Sequence, residues 1–117
     1  MISGQARFRR AARLRDGRDY RRLANKGRRV ASKNYVVLAV HRRTDGTARL
    51  GITASRRVGG AVQRNRVKRT VREWFRTRQQ ELASDLDVVV IARSGAVGLS
   101  GEEVGVELTR LTREAAG

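Results

Sequence analysis

Apolar positions follow two different rhythms along this chain. Tyr35-Val36-Val37-Leu38-Ala39-Val40 is an unbroken apolar, largely β-branched run, and Asp87-Val88-Val89-Val90-Ile91-Ala92 is a second. Runs of this length and composition predict strands. The second is apolar on both of its alternating sides, which predicts a strand in the middle of a sheet. Arg49-Leu50-Gly51-Ile52-Thr53-Ala54 predicts a third strand, and Val30 marks a short one before the first run. Between them, Thr44-Asp45-Gly46-Thr47 has the chemistry of a hairpin turn, so residues 49–54 are expected to return beside residues 35–40.

Elsewhere the period lengthens to that of a helix. From about Val62 to Leu82, winding at roughly 100° per residue places Val67, Val71, Trp74, Phe75 and Leu82 in one arc. Asn65, Lys68, Arg69, Arg72 and Arg76 fall on the opposite side. A shorter helix over residues 17–26 carries Tyr20, Leu23 and Ala24 on one side, with Asp16 as a candidate cap and Gly27 as its end. Ser100-Gly101-Glu102-Glu103 forms a capping box that opens a last helix to about Ala115, with Val104, Leu108 and Leu111 inward. Residues 1–15 show no period and read as a basic arm. The predicted order is α-β-β-β-α-β-α, an α/β (α+β) sandwich around one small mixed sheet, in a single domain spanning residues 1–117.

Charge adds what the periodicity lacks. The 117 residues carry a formal net charge of +16. Residues 1–78 hold 24 basic and 4 acidic side chains, and residues 79–117 hold 3 basic and 7 acidic. A surface tuned for solubility mixes the signs, so this segregation points to a binding face. A polyanion is the partner it fits, nucleic acid first. All but three of the basic residues are Arg, whose planar fork suits phosphate. The chain has no Cys, which excludes disulfides and thiolate metal sites. No apolar run approaches the roughly 20 residues that span a bilayer, and the N-terminus has no signal-peptide pattern. A cytoplasmic protein is the expectation, with neither a membrane nor a small-molecule cofactor as partner.

The chemistry concentrates between Ser55 and Arg76. A basic, glycine-containing loop, with Arg56 and Arg57, leads into the long helix with Arg64, Asn65, Arg66, Lys68, Arg69, Arg72 and Arg76. A glycine-rich entry to a helix presents backbone N–H groups to an anion. Residues 65, 69, 72 and 76 are spaced three or four apart and form a stripe that can follow a phosphate backbone. Charge runs are ordinarily solvated faces. Here the stripe is almost purely cationic, backs onto a clean apolar arc and adjoins a basic loop. The basic region offers only Asp16, Asp19, Asp45 and Glu73, without the carboxylate clustering that a magnesium nuclease needs. The single His41 shows no evident partner, Ser55 has no base beside it, and Trp74 and Phe75 belong to the apolar arc.

Arg64-Asn65-Arg66-Val67-Lys68-Arg69, followed by Arg72-Glu73 and Phe75-Arg76, resembles the signature helix of the bacterial ribonuclease P protein family. The Gly51-Ile52 strand, the Ser55-Arg56-Arg57 turn, the Gly59-Gly60-Ala61-Val62 entry and the Asp87–Arg93 strand fit the same family, from about Phe8 to the last helix. The resemblance implies a ribosomal protein S5 domain 2-like fold with a left-handed βαβ crossover. It also implies an accessory subunit of an endonuclease that removes the 5′ leader from precursor tRNA. Catalysis would lie in the RNA subunit, with Mg2+ held mainly by that RNA and the substrate, and the protein alone would be inactive. Arg56, Arg57, Arg64, Asn65, Arg66, Lys68, Arg69, Arg72 and Arg76 would meet the ribonuclease P RNA. Phe8, Arg9, Tyr20, Val36 and Leu38 would line a cleft for the single-stranded precursor tRNA 5′ leader. Ala24 and Leu38 stand where relatives often carry aromatics, which shifts the expectation from base stacking to backbone and van der Waals contact. Gly60 stands where Asn is usual. For Tyr20 and Phe8, docking into the core and contact with RNA both remain open. The competing readings are a ribosomal or ribosome-assembly RNA-binding protein and, further off, a DNA-binding module.

Overall fold

The computed structural model describes residues 13–14, 17–42 and 46–117. Helix α1 spans Gly17–Lys26, strand β1 Arg28–Ala31, β2 Tyr35–His41 and β3 Arg49–Ala54. Helix α2 spans Ala61–Arg78, strand β4 Leu86–Ala92 and helix α3 Gly101–Ala116. Short 3-10 turns at Gln79–Glu81 and Ser94–Ala96 flank β4. The sandwich and its element order are those expected, except that α2 starts at Ala61 and stops at Arg78, its predicted last turn tightening into the 3-10 turn.

The sheet order is β1-β2-β4-β3. β1 pairs with β2 and β2 with β4, both antiparallel, whereas β3 runs parallel to β4. This corrects the expected hairpin between residues 35–40 and 49–54. Those strands are not neighbours, because β4 lies between them. The physical reason is β4 itself: Leu86 to Val90 are all buried, and only a central position covers both sides of such a strand. Asp45 and Thr44 of the expected turn lie outside the described residues, as does the candidate cap Asp16.

Alternation along the strands sorts the core into two layers. Tyr35, Val37, Ala39, Leu50, Val88 and Val90 face α2 and α3, where Val67, Val71, Trp74 and Phe75 meet Val104, Leu108 and Leu111. Trp74 buries its ring and donates Nε1–H to Thr109 Oγ1 at 3.0 Å, so its one polar atom is satisfied. On the other side, Leu14, Leu23 and Val89 are buried beneath α1, with Tyr20, Leu38, Val40 and Ile91 half-covered. Ala24, expected to share the inner side of α1, is exposed. Gly27 follows the last turn of α1 at a point with no room for a side chain: a Cβ there would sit 2.4 Å from the Leu23 carbonyl oxygen. The capping box on α3 is formed, with Ser100 Oγ accepting from Glu103 N–H at 3.1 Å and Glu103 Oε1 accepting from Ser100 N–H at 2.9 Å.

Candidate nucleic-acid interface

The loop between β3 and α2 is held from within. Val58 is buried and its N–H bonds to the Ser55 carbonyl at 3.0 Å, while Ser55 Oγ accepts from Arg57 N–H at 3.3 Å. Ser55 is thus a turn residue. Gly59 turns the chain at φ +148°, where an L side chain is strained. This anchoring leaves Arg56 and Arg57 exposed at the entrance to α2. At that entrance Gln63 Oε1 accepts from Gly60 N–H at 2.8 Å, so Gln63 reaches back to the position where Gly60 has no side chain of its own.

Along α2 the buried arc forces the cations outward. Asn65, Arg66 and Arg69 are exposed, and Arg64, Lys68, Arg72 and Arg76 are half-buried along the flanks. No carboxylate pairs with Arg56, Arg57, Arg64, Arg66, Lys68, Arg69 or Arg72 among the described residues. The far end is different. Arg76 donates to Glu73 at 2.9 Å and Arg78 to Glu81 at 3.2 Å. A hydrogen bond from Arg76 holds the Glu73 carboxyl below its usual range. The stripe is therefore uncompensated from Arg64 to Arg72, not along the full length of α2. Arg72 has its pKa lowered, first by burial and then by the nearby charge of Arg13.

The candidate cleft lies on the α1 side of the sheet. Leu38 and Ile91 are half-exposed there, but Val36, which pairs with Ile91 in the ladder, is only 5 % exposed and presents little surface. Tyr20 stands at the rim. Its hydroxyl donates to the Leu14 carbonyl at 3.3 Å, and a Cβ on Gly51 would come within 2.3 Å of that oxygen. The ring thus rests over a bare patch of backbone that only glycine leaves open. Burial pushes the Tyr20 phenol up from its ordinary value. Phe8 and Arg9 lie outside the described residues.

Two features escaped the sequence. Asp87 is fully buried and gathers three guanidinium groups: Arg49 by two bonds of 2.8 Å, Arg22 from α1, and Arg42 from the end of β2. Burial alone would raise its carboxyl, but hydrogen bonds from Arg49 and Arg42 outweigh burial and lower it. The hub pins α1 to the sheet and so fixes one wall of the cleft. His41, expected to lack a partner, pairs with Asp85 at 2.8 Å and with the Ala116 carbonyl at 3.3 Å. It ties β2 to the end of α3, away from the cationic loop. No group of three or more potential metal-ligating side chains occurs among the described residues, and Asp87 is saturated by arginine. The described residues do not fit a magnesium seat. No helix among the described residues is long and apolar enough to cross a membrane.

A small mixed sheet that carries helices on both sides and displays uncompensated arginines on one of them defines a polyanion-binding protein. The known proteins it is similar to sharpen that class. A sequence model of the family described as Ribonuclease P matches residues 8–116. The ribonuclease P protein component of Desulforapulum autotrophicum is 36% identical over 111 residues, covering 95% of this chain and 94% of that protein. That of Syntrophobacter fumaroxidans is 39% identical over 114 residues, covering 92% and 90%. Among solved structures, the RNase P protein of Staphylococcus aureus superposes with a TM-score of 0.81 at 32% identity, covering 91% of this chain and 96% of that one. The RNase P protein from Thermotoga maritima gives 0.78 at 32% identity, covering 90% and 98%. The chain belongs to the ribonuclease P protein family. It is accordingly a subunit of that endoribonuclease, a partner of ribonuclease P RNA and a participant in tRNA processing.

Proposed function

We propose that the exposed side of α2 and the loop before it form the contact with ribonuclease P RNA, and that the cleft beside α1 receives the 5′ leader of precursor tRNA. The supporting observation is the uncompensated charge of Arg56, Arg57, Arg64, Arg66, Lys68, Arg69 and Arg72, set on a rigid helix whose other side is core. Cations left without carboxylate partners gain most from phosphate, since no existing ion pair has to break. The RNA subunit supplies the hydrolytic chemistry and, with the substrate, holds Mg2+. The protein contributes affinity for the substrate and lowers the need for that ion, and it is inactive alone. The setting is the cytoplasm.

In the cleft, Leu38, Ile91 and the Tyr20 ring offer apolar surface, with Arg9 and Phe8 as further candidates from the arm. Leader binding here rests on van der Waals and backbone contact more than on stacking, since Ala24 and Leu38 supply no aromatic face.

The α2 assignment is tested with Arg66→Ala and Arg69→Ala in full-length protein. Each is expected to weaken binding to ribonuclease P RNA by about 1–3 kcal/mol and to flatten the salt dependence by about one counterion. Unchanged affinity and slope in both variants would remove α2 from the interface.

A further inference from the structure

The helix that displays the cations also forms one wall of a cavity. The cavity lies between the first turns of α2 and the turn that joins β4 to α3, and encloses about 350 Å³. Gln63, Arg66 and Thr70 line it from α2, Val97 and Leu99 from the turn, and Tyr35 from the start of β2. The turn is held from within: Ala96 N–H bonds to the Arg93 carbonyl at 2.9 Å and Val97 N–H to the Ser94 carbonyl at 3.3 Å. Arg93 N–H ties it to the Asn34 carbonyl at 2.9 Å, next to Tyr35. Val97 is nevertheless 40 % exposed, so this wall shows an apolar face. Three polar groups at the cavity lack partners among the described residues. Tyr35 is only 1 % exposed, and a buried tyrosine hydroxyl ordinarily finds a partner. Tyr35 Oη has none, yet it is not sealed from solvent; the cavity is where it opens. Gln63 Oε1 is committed to Gly60 N–H at 2.8 Å, which leaves its Nε2 amide to donate elsewhere. The exposed Arg66 guanidinium has no carboxylate beside it. Thr70, by contrast, is satisfied, its hydroxyl donating to the Arg66 carbonyl at 2.9 Å.

We propose that this cavity receives one unpaired base of ribonuclease P RNA. The inference deepens the α2 reading and rests on it. An unstacked base has two apolar faces and a hydrogen-bonding edge, and it arrives joined to a phosphate. Val97 and Leu99 suit the faces, Tyr35 Oη and Gln63 Nε2 suit acceptors on the edge, and Arg66 suits the phosphate. Apolar walls with a few convergent polar groups are the general form of a site for a small flat group. The RNA subunit is the source, and not the leader, because Tyr35 faces the α2 side of the sheet and the α1 cleft lies on the other. Phosphate contacts along α2 carry no sequence information, whereas a seated base fixes one register of the protein on the RNA.

The test compares Tyr35→Phe and Val97→Ala with Arg66→Ala and Arg69→Ala, all in full-length protein, with thermal melts to confirm folding. Tyr35→Phe keeps the ring in the core and removes only the donor, and Val97 stands on the exposed turn. Each variant is titrated against ribonuclease P RNA over a range of salt. At saturating protein, the unpaired bases of that RNA are then probed with dimethyl sulfate and carbodiimide. Tyr35→Phe and Val97→Ala are each expected to weaken binding roughly three- to tenfold. Their salt slope should stay that of the parent, since no phosphate contact is lost, whereas Arg66→Ala and Arg69→Ala flatten it. One base protected by the parent should become reactive again in both, with the rest of the footprint unchanged. If no base is re-exposed in either variant, the base site is overturned and the α2 reading stands. If Arg66→Ala and Arg69→Ala bind like the parent, the α2 interface falls and the base site falls with it.

Discussion

Tyr20 shows how a single hydroxyl separates two roles that the sequence left open. A ring that stacks on a base works equally well as Phe, whereas a ring that anchors the arm needs its oxygen. The bond to the Leu14 carbonyl and the open backbone at Gly51 support the anchor. Tyr20→Phe is therefore expected to cost about 0.5–1 kcal/mol in thermal unfolding, at the low end for a hydrogen bond of this length. It should also speed tryptic cleavage after Arg13. Cleavage at the parent rate would return Tyr20 to base contact. Val71, fully buried against the sheet, marks the opposite extreme. Val71→Asp places a carboxylate where no partner exists and is expected to abolish cooperative melting; a sharp melt in that variant would contradict the orientation of α2.

At the scale of elements, what was legible in the sequence was local. The arc of Val67, Val71, Trp74 and Phe75 specifies both the buried and the displayed side of α2. The capping box at Ser100 specifies where α3 starts, because its partners lie three residues apart. The order of the strands was not legible. An Asp-Gly step between two apolar runs favours a hairpin locally, and the need to cover β4 on both sides overrides it. The Asp87 hub was equally hidden, since Arg22, Arg42 and Arg49 stand 65, 45 and 38 residues from it. Removing one member of a buried ionic cluster strands the others, so Asp87→Ala is expected to destabilise the fold by about 3 kcal/mol at pH 7. The carboxyl is lowered in the folded state, so its stabilisation is present above the ordinary Asp range. It is lost as pH falls through the lowered folded value. Melting curves between pH 7 and pH 3 check both statements: the parent should lose stability on acidification more steeply than Asp87→Ala. Equal melting at pH 7 would show that the hub does not hold α1.

Across the whole molecule the segregation of charge becomes an orientation. The basic first two-thirds of the chain supplies the arm, α1, the loop before α2 and α2 itself. The acidic remainder places Glu102, Glu103, Glu107 and Glu114 on α3. The proposed α2 contact therefore predicts one docking orientation, with α3, where four Glu outnumber Arg110 and Arg113, turned away from the RNA and the α1 side carried with the protein. The residues proposed for the α1 cleft rest on family resemblance alone, because Leu38 and Ile91 read in isolation are ordinary strand residues. The measurement that bears most directly on this account is reconstitution. Full-length protein is mixed with ribonuclease P RNA and a 5′-extended precursor tRNA, at magnesium too low for that RNA alone to act. The account predicts cleavage at the mature 5′ end that requires both protein and RNA, and that weakens when the leader is cut back to a single nucleotide. Tight binding to the RNA with no stimulation of cleavage, or stimulation indifferent to the leader, would contradict it.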